Sequence, residues 1–337
     1  MRGFWPPPLW VPAEVPAKKW LGRRGGLWIA AGGVAFFLYL MLVGGLALHN
    51  GAAVTIGLLV GAVTVAASFL YTMAYRIGPR DTVTVPLLLI AFGFGGLLAV
   101  TVGSTTDSLL VKLTGHSEVQ TNTVVLLLAG ISEELAKIIA VVVVSWRLKD
   151  KSIRNGLFVG GAVGLGFAAL EDLSYAQSFY QDPPALIHLT HLGSALVFVP
   201  VRALLTPFGH PLWTALFAAG LFAAARNGRF RVTWKVVVAY LGVSVAHGLW
   251  DGSAGVLDAT GIKPLVLLEL LILPGIVVGS GLIWIHVARK ARWDFQTPVA
   301  WWRAGPPHPA HQVPPPAPPD PRHRLPVPPG AWPPPPR

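Results

Sequence analysis

Long apolar stretches alternate with short polar and basic segments along this chain. A helix needs roughly 20 apolar residues, at about 1.5 Å each, to cross the hydrocarbon core of a bilayer. Eight runs reach that length, over about 27–48, 52–75, 83–102, 123–146, 155–177, 207–225, 234–254 and 264–288. The pattern predicts an all-α protein, a polytopic transmembrane helix bundle of about eight spans. Between the fifth and sixth runs, the stretch from Pro183 to Thr206 is interrupted by His188, His191, Pro200 and Arg202. It reads as an interfacial or re-entrant helix, with a ninth span as the alternative.

The basic residues orient this layout. With the N-terminus inside, one side collects Lys18, Lys19, Arg23 and Arg24, then Arg76 and Arg80, then Arg147, Lys149, Lys151 and Arg154. Arg226, Arg229, Arg231 and Lys235 follow, and finally Arg289, Lys290 and Arg292. The opposite side receives Lys112, Arg202 and Lys263. Cytoplasmic loops carry the excess of Lys and Arg, so eight spans with both termini cytoplasmic are expected. A ninth span would place the Arg226–Lys235 cluster outside.

Composition agrees. Of the 337 residues, 53% are hydrophobic and 12% charged, about half the charge of a typical soluble domain. The mean hydropathy is +0.58. The net charge of +11 is accounted for by the cytoplasmic loops and does not call for nucleic acid. With no cysteine, a disulfide framework, an iron–sulfur cluster and a thiolate zinc site are excluded. Residues 1–26 form a Pro- and Trp-rich basic arm. The apolar run behind it is longer than the core of a cleavable leader, so it reads as a retained first helix. The bundle is expected over 27–290. Residues 291–337, with repeats such as Pro314–Pro316 and Pro333–Pro336, read as a disordered, partly polyproline II cytoplasmic tail.

The chemistry lies in charges that lipid should exclude, since one charged group near the bilayer centre costs roughly 2.5–3.5 kcal/mol. The fourth run carries Glu133, Glu134 and Lys137 near its middle. Glu133 and Lys137 are four apart and share a helix face, whereas Glu134 lies about 100° further round. A structural ion pair with Lys137 explains one carboxylate and leaves the other without a partner in its own helix. The fifth run places Phe167, Glu171 and Tyr175 on one stripe, after a small-residue seam of Gly156, Gly160 and Gly164 that permits close helix approach. The sixth begins near His210, and the seventh carries His247 and Asp251 four apart. Counting residues from the outer side puts Glu171, His210, His247 and Asp251 in the outer half of the bilayer, with Glu133 and Glu134 deeper. Taken singly, a histidine at a helix end is more often a cap, and Tyr175, Trp213 and Trp250 suit packing or interface anchoring.

Taken in order, these residues resemble the PrsW family of intramembrane proteases. Glu133-Glu134-Leu-Ala-Lys137 is similar to its EExxK motif, and Phe167 to Tyr175 to its FxxxE signature with a following polar residue and tyrosine. His210 and the His247–Asp251 pair are similar to its later histidine and HxxxD elements. Asp172 stands where the family pattern suggests asparagine. The resemblance covers roughly residues 27–290 and leaves out the arm and the tail. It implies an endopeptidase in the wider group of CAAX prenyl endopeptidases, acting on a single-pass membrane protein such as an anti-sigma factor at site 1. A bacterial plasma membrane is the expected location.

The expected catalytic set is Glu133, Glu134, Lys137, Glu171, His210, His247 and Asp251. Desolvation suits a buried glutamate to proton exchange, and Glu133 or Glu134 is the expected base, Glu133 preferred because Lys137 shares its face. The histidines would orient water or polarise the scissile carbonyl, with Asp251 and Glu171 fixing their tautomers. A zinc version would use His210, His247 and Glu134 as ligands. The chain lacks HExxH spacing, and the metal-free version is slightly favoured, both staying open. Intramembrane Glu, Lys, His and Asp also mark ion pathways, so a proton-coupled transporter, or a non-catalytic scaffold on the same fold, is the competing class. No inverted repeat is visible in its support.

Overall fold

The computed structural model describes residues 21–77, 82–114, 123–183, 188–259 and 268–294. Most of the basic arm and the tail beyond Asp294 lie outside these residues. The described chain is helical. Helix α1 (Gly25–Tyr39) runs on through a π-helical segment, Leu40–Ala47, and α2 covers Gly51–Tyr75. Helix α3 (Val85–Ile90), a π-helical segment (Ala91–Gly95) and α4 (Gly96–Thr114) form one continuous run. Then come α5 (Thr123–Ser145), α6 (Ile153–Gln181), α7 (His191–Leu205), α8 (His210–Ala224), α9 (Trp234–Ala259) and α10 (Glu269–Asp294).

Six runs among the described residues are long and apolar enough to cross a membrane: Gly22–Ala47, Gly51–Tyr75, Val85–Thr114, Ile153–Gln181, His191–Ala224 and Leu271–Ala291. Eight were expected. The other two, α5 and α9, have spanning lengths of 23 and 26 residues. What sets them apart is their chemistry: Glu133, Glu134 and Lys137 on one, His247 and Asp251 on the other.

Residues 183–206 also differ from expectation. They were read as a separate interfacial or re-entrant segment, yet α7 leads through a 3-10 turn, Thr206–Phe208, into α8 as one interrupted run. Its ladder of contacts descends α6 in the antiparallel sense. Phe198 stacks on Phe179, Arg202 meets Glu171, His210 packs over Gly164 and Thr214 over Gly160. The interruption has local causes. Pro200 lies inside α7, Pro207 in the 3-10 turn and Pro211 in the first turn of α8. Proline removes a backbone donor and crowds the preceding turn, and it is well placed at a helix start. His210 is the first residue of α8.

Close packing between glycines and backbone fixes the helix registers. A Cβ at Gly156 would lie 2.7 Å from the Ala218 carbonyl oxygen, and one at Gly164 2.7 Å from the His210 carbonyl oxygen. The expected seam is therefore the α6–α8 interface. A second seam was not foreseen: Gly130 on α5 packs against Ser244 and Gly248 on α9, and Gly248 against Leu127. It lies within one turn of both Glu133 and His247. Small residues let helix backbones approach where lipid gives no hydrophobic drive between them. At one end of the bundle the basic loops converge: Arg154 donates to the Arg76 carbonyl at 3.3 Å, and Lys151 lies 4.2 Å from the centre of the Phe230 ring.

Candidate active site

Lys137 is the hub. Its side chain is fully buried, and Nζ donates to Glu134 Oε1 at 2.9 Å and to Glu133 Oε2 at 3.4 Å. It also lies 3.0 Å from His210 Nδ1 and 3.7 Å from the centre of the Phe167 ring. An ammonium can only donate. His210 Nδ1 is therefore the acceptor, and Nε2 carries the proton towards Glu171 Oε2, 2.8 Å away. The tautomer follows from both neighbours.

One sequence expectation is corrected at this point. Lys137 was expected to pair with Glu133 and leave Glu134 without a partner in α5. Instead it bonds both carboxylates and is closer to Glu134, three residues back. Neighbours at i,i+3 and i,i+4 are both within reach on a helix. Glu134 also takes a hydrogen bond from His247 Nδ1 at 3.0 Å, which leaves Glu133 the less engaged of the pair.

His247 is fully buried. With Nδ1–H committed to Glu134, its Nε2 faces Asp251 Oδ2 at 2.9 Å and Glu133 Oε2 at 3.5 Å. Neither contact is aligned as a hydrogen bond, and Nε2 has no hydrogen-bond partner among the described residues. Trp213 packs over the ring, 5.3 Å between centroids, and its indole donates to Ser280 on α10 at 3.1 Å. The two imidazoles meet edge to face at 4.7 Å.

All seven expected residues thus belong to one connected cluster from α5, α6, α8 and α9. Residue counting had put Glu133 and Glu134 deeper than the histidines. The contacts place Glu133 beside His247, at the same level. Three members were missed. Arg202, counted among the outer-side charges of the 183–206 segment, donates from Nη2 to Glu171 Oε2 at 2.7 Å. Its Nε lies 2.8 Å from Asp172 Oδ1 and its guanidinium 3.5 Å from the Tyr175 ring centre. Thr206 donates to Asp172, so the acid standing where asparagine was expected has both its oxygens engaged. Asp107 on α4 is buried and accepts from Ser132 at 2.7 Å, beside Glu133. The sequence signal for Asp107 was weak, because the apolar run seemed to end near residue 102.

A metal fits this set. Glu133, His210 and His247 can each offer one ligand atom within 4.8 Å of the others. They are two imidazoles and a carboxylate, the donors of a catalytic zinc site. The group found among the described residues contains Glu133, where the sequence expectation named Glu134 beside the two histidines. The unpartnered His247 Nε2 faces two carboxylate oxygens, an arrangement that calls for a bridging cation or proton. Around it Asp107, Glu133, Glu134, Glu171, Asp172 and Asp251 outnumber the two cations Lys137 and Arg202.

A helical bundle that buries acids, imidazoles and a lysine in contact, on helices otherwise suited to lipid, defines an intramembrane hydrolase-like centre. Residues 84–279 match the model of the PrsW family intramembrane metalloproteases; the chain belongs to this family and is, by class, a multi-pass membrane protease. The matched region begins at α3 and contains the whole cluster. The comparison with curated proteins found no match, and neither did the comparison with solved structures.

Proposed function

We propose that this protein is an intramembrane endopeptidase that cuts a single-pass membrane protein, with Glu133 as the carboxylate at the centre of the chemistry. The observation that carries this reading is the contact of Glu133 with both Lys137 and His247 inside the bundle. Glu133 keeps 9% of its surface accessible while Glu134 keeps 1%. Water and a scissile carbonyl can approach the first more readily than the second.

In the metal-free form of the reaction, Glu133 takes the proton of the attacking water and delivers it to the leaving amine. Lys137 holds Glu133 and Glu134 in place, and His247 supplies a buried polar edge beside the developing oxyanion. His210, fixed by Glu171, presents Nδ1 to the same centre. A divalent ion held by Glu133, His247 and His210, whose Nδ1 would exchange its Lys137 contact for the ion, would add Lewis-acid polarisation and a more acidic water. Glu134, whose Oε2 has no hydrogen-bond partner among the described residues, would then be the carboxylate left to accept the proton. The donor set and the surplus of buried carboxylates favour this metal-assisted form.

We further propose eight spans, counting α5 and α9, with both termini cytoplasmic in a plasma membrane. The convergence of the Arg76, Lys151 and Arg154 loops at one end of the bundle supports this orientation. The class of substrate follows from the site's burial: a peptide bond must reach it from the bilayer or its outer margin. An anti-sigma factor cut at site 1 is the physiological form that family membership suggests.

The test is cleavage of a membrane-anchored reporter by the full chain in proteoliposomes. Wild-type protein releases a fragment and Glu133→Gln does not. Equal cleavage by Glu133→Gln would remove the protease reading. Glu133-dependent proton flux without cleavage would put a transporter in its place.

A further inference from the structure

Arg202 belongs to none of the motifs that carry the family resemblance, yet it touches the same oxygen that orients a site histidine. Glu171 Oε2 lies 2.7 Å from Arg202 Nη2 and 2.8 Å from His210 Nε2. The guanidinium also reaches the neighbouring acid, Asp172, at 2.8 Å. One guanidinium thereby serves two consecutive carboxylates of α6, hydrogen-bonded to Glu171 and ion-paired with Asp172, which a lysine's single ammonium cannot do with the same geometry. One turn further along, Thr206 donates to Asp172 as well. These contacts pin the end of α7 to α6 immediately before the break at Gly209, where α8 starts with His210.

We propose that Arg202 is a positioning residue of the proteolytic site, acting through Glu171 to hold His210 with Nε2–H towards Glu171 and Nδ1 towards Lys137. The chain of contacts runs from Arg202 to Glu171, to His210, to Lys137 and to the Glu133–Glu134 pair, with no link longer than 3.4 Å. Arg202 occupies one side of the Glu171 oxygen, so the carboxylate stays an acceptor aimed at His210 and cannot rotate away. Removing the guanidinium leaves Glu171 free to turn towards solvent, since Glu171 and Arg202 are both only partly buried. His210 then loses one of the two neighbours that select its tautomer, and Lys137 alone holds it less firmly. Partners that orient a working histidine in this way typically contribute ~10–100-fold to activity or affinity.

The proposal rests on the protease reading, and a double-mutant cycle separates the two. Arg202→Met lowers kcat for the membrane-anchored reporter ~10–100-fold with KM nearly unchanged, and Arg202→Lys restores part of the loss. In a Glu171→Gln background, Arg202→Met adds less than about threefold, because the link it acts through is already gone. Multiplicative losses in the double variant, or wild-type kcat in Arg202→Met, overturn the proposal. Arg202→Met/Asp172→Asn, which removes one charge of each sign, controls for folding by thermal unfolding in detergent. Solid-state NMR of histidine-labelled protein in lipid provides a readout free of activity. His210 is the Nε2–H tautomer in wild type and a mixture in Arg202→Met, and an unchanged spectrum also overturns the proposal. If Glu133→Gln still cleaves, the protease reading fails while the tautomer measurement continues to test the link.

Discussion

Lys137 and His210 lie 73 residues apart in the chain, and Nζ of one meets Nδ1 of the other at 3.0 Å. A donor-only group facing an imidazole nitrogen fixes which nitrogen is unprotonated. That contact joins the acidic pair on α5 to the Glu171–Arg202 pair of α6 and α7. It also makes the lysine the cation that holds Glu133 and Glu134 together.

Lys137→Met should therefore unfold the site more than any single acid-to-amide change. Removing one partner of a buried ion pair costs about 3–5 kcal/mol, because the charges left behind are uncompensated. Thermal unfolding in detergent should show a clearly lowered midpoint. Lys137→Met/Glu134→Gln should recover part of it by removing one orphaned charge. An unchanged midpoint in Lys137→Met would show that the lysine does not bear this role.

The two glutamates should behave differently. Glu133→Gln is expected to reduce reporter cleavage by ~10²–10⁴-fold, the range of a lost general base and no less where Glu133 serves as a metal donor, with little change in unfolding. Glu134→Gln should affect both, since Glu134 accepts from Lys137 and His247. Parallel cleavage and unfolding measurements on the two variants decide it. Loss of stability in Glu133→Gln alone would reverse the assignment.

Purified protein should hold close to one divalent metal ion per chain, and His247→Ala should lose it. Elemental analysis after size-exclusion chromatography measures this directly. Exhaustive chelation should abolish cleavage, and zinc should restore it. Full activity in metal-stripped protein would establish the metal-free glutamate form.

Packing at the α6–α8 seam should matter as much as the polar groups. A Cβ at Gly160 would lie 2.5 Å from both the Thr214 carbonyl oxygen and the Ala218 Cβ, so Gly160→Val must push α8 outwards and carry His210 with it. Overpacking of this kind costs about 1–3 kcal/mol. Cleavage should fall with it. A Cβ at Gly279 on α10 meets nothing within 4 Å among the described residues, so Gly279→Val serves as the control, with little expected effect on either measurement.

The sequence by itself determined the helices and the identities of the reacting groups. Apolar run length marks a membrane helix because an unsatisfied backbone cannot sit in lipid. The acids and histidines on α5, α6, α8 and α9 stood out because lipid makes charge expensive. Gly156, Gly160 and Gly164 were legible as a seam for the same local reason. Tertiary structure decided how these groups pair. That Lys137 favours Glu134, that Glu133 joins the two histidines as a donor and that Arg202 belongs to the site all depend on helix rotation and register. Those are set by contacts such as Gly130 on Gly248 and Gly164 on His210, made between residues distant in sequence. Arg202 looked like an outer-side charge because His188, His191, Pro200 and Arg202 itself interrupt an otherwise apolar stretch. It entered the site because α7 packs along α6 and brings its guanidinium to two acids that the sequence shows but does not pair.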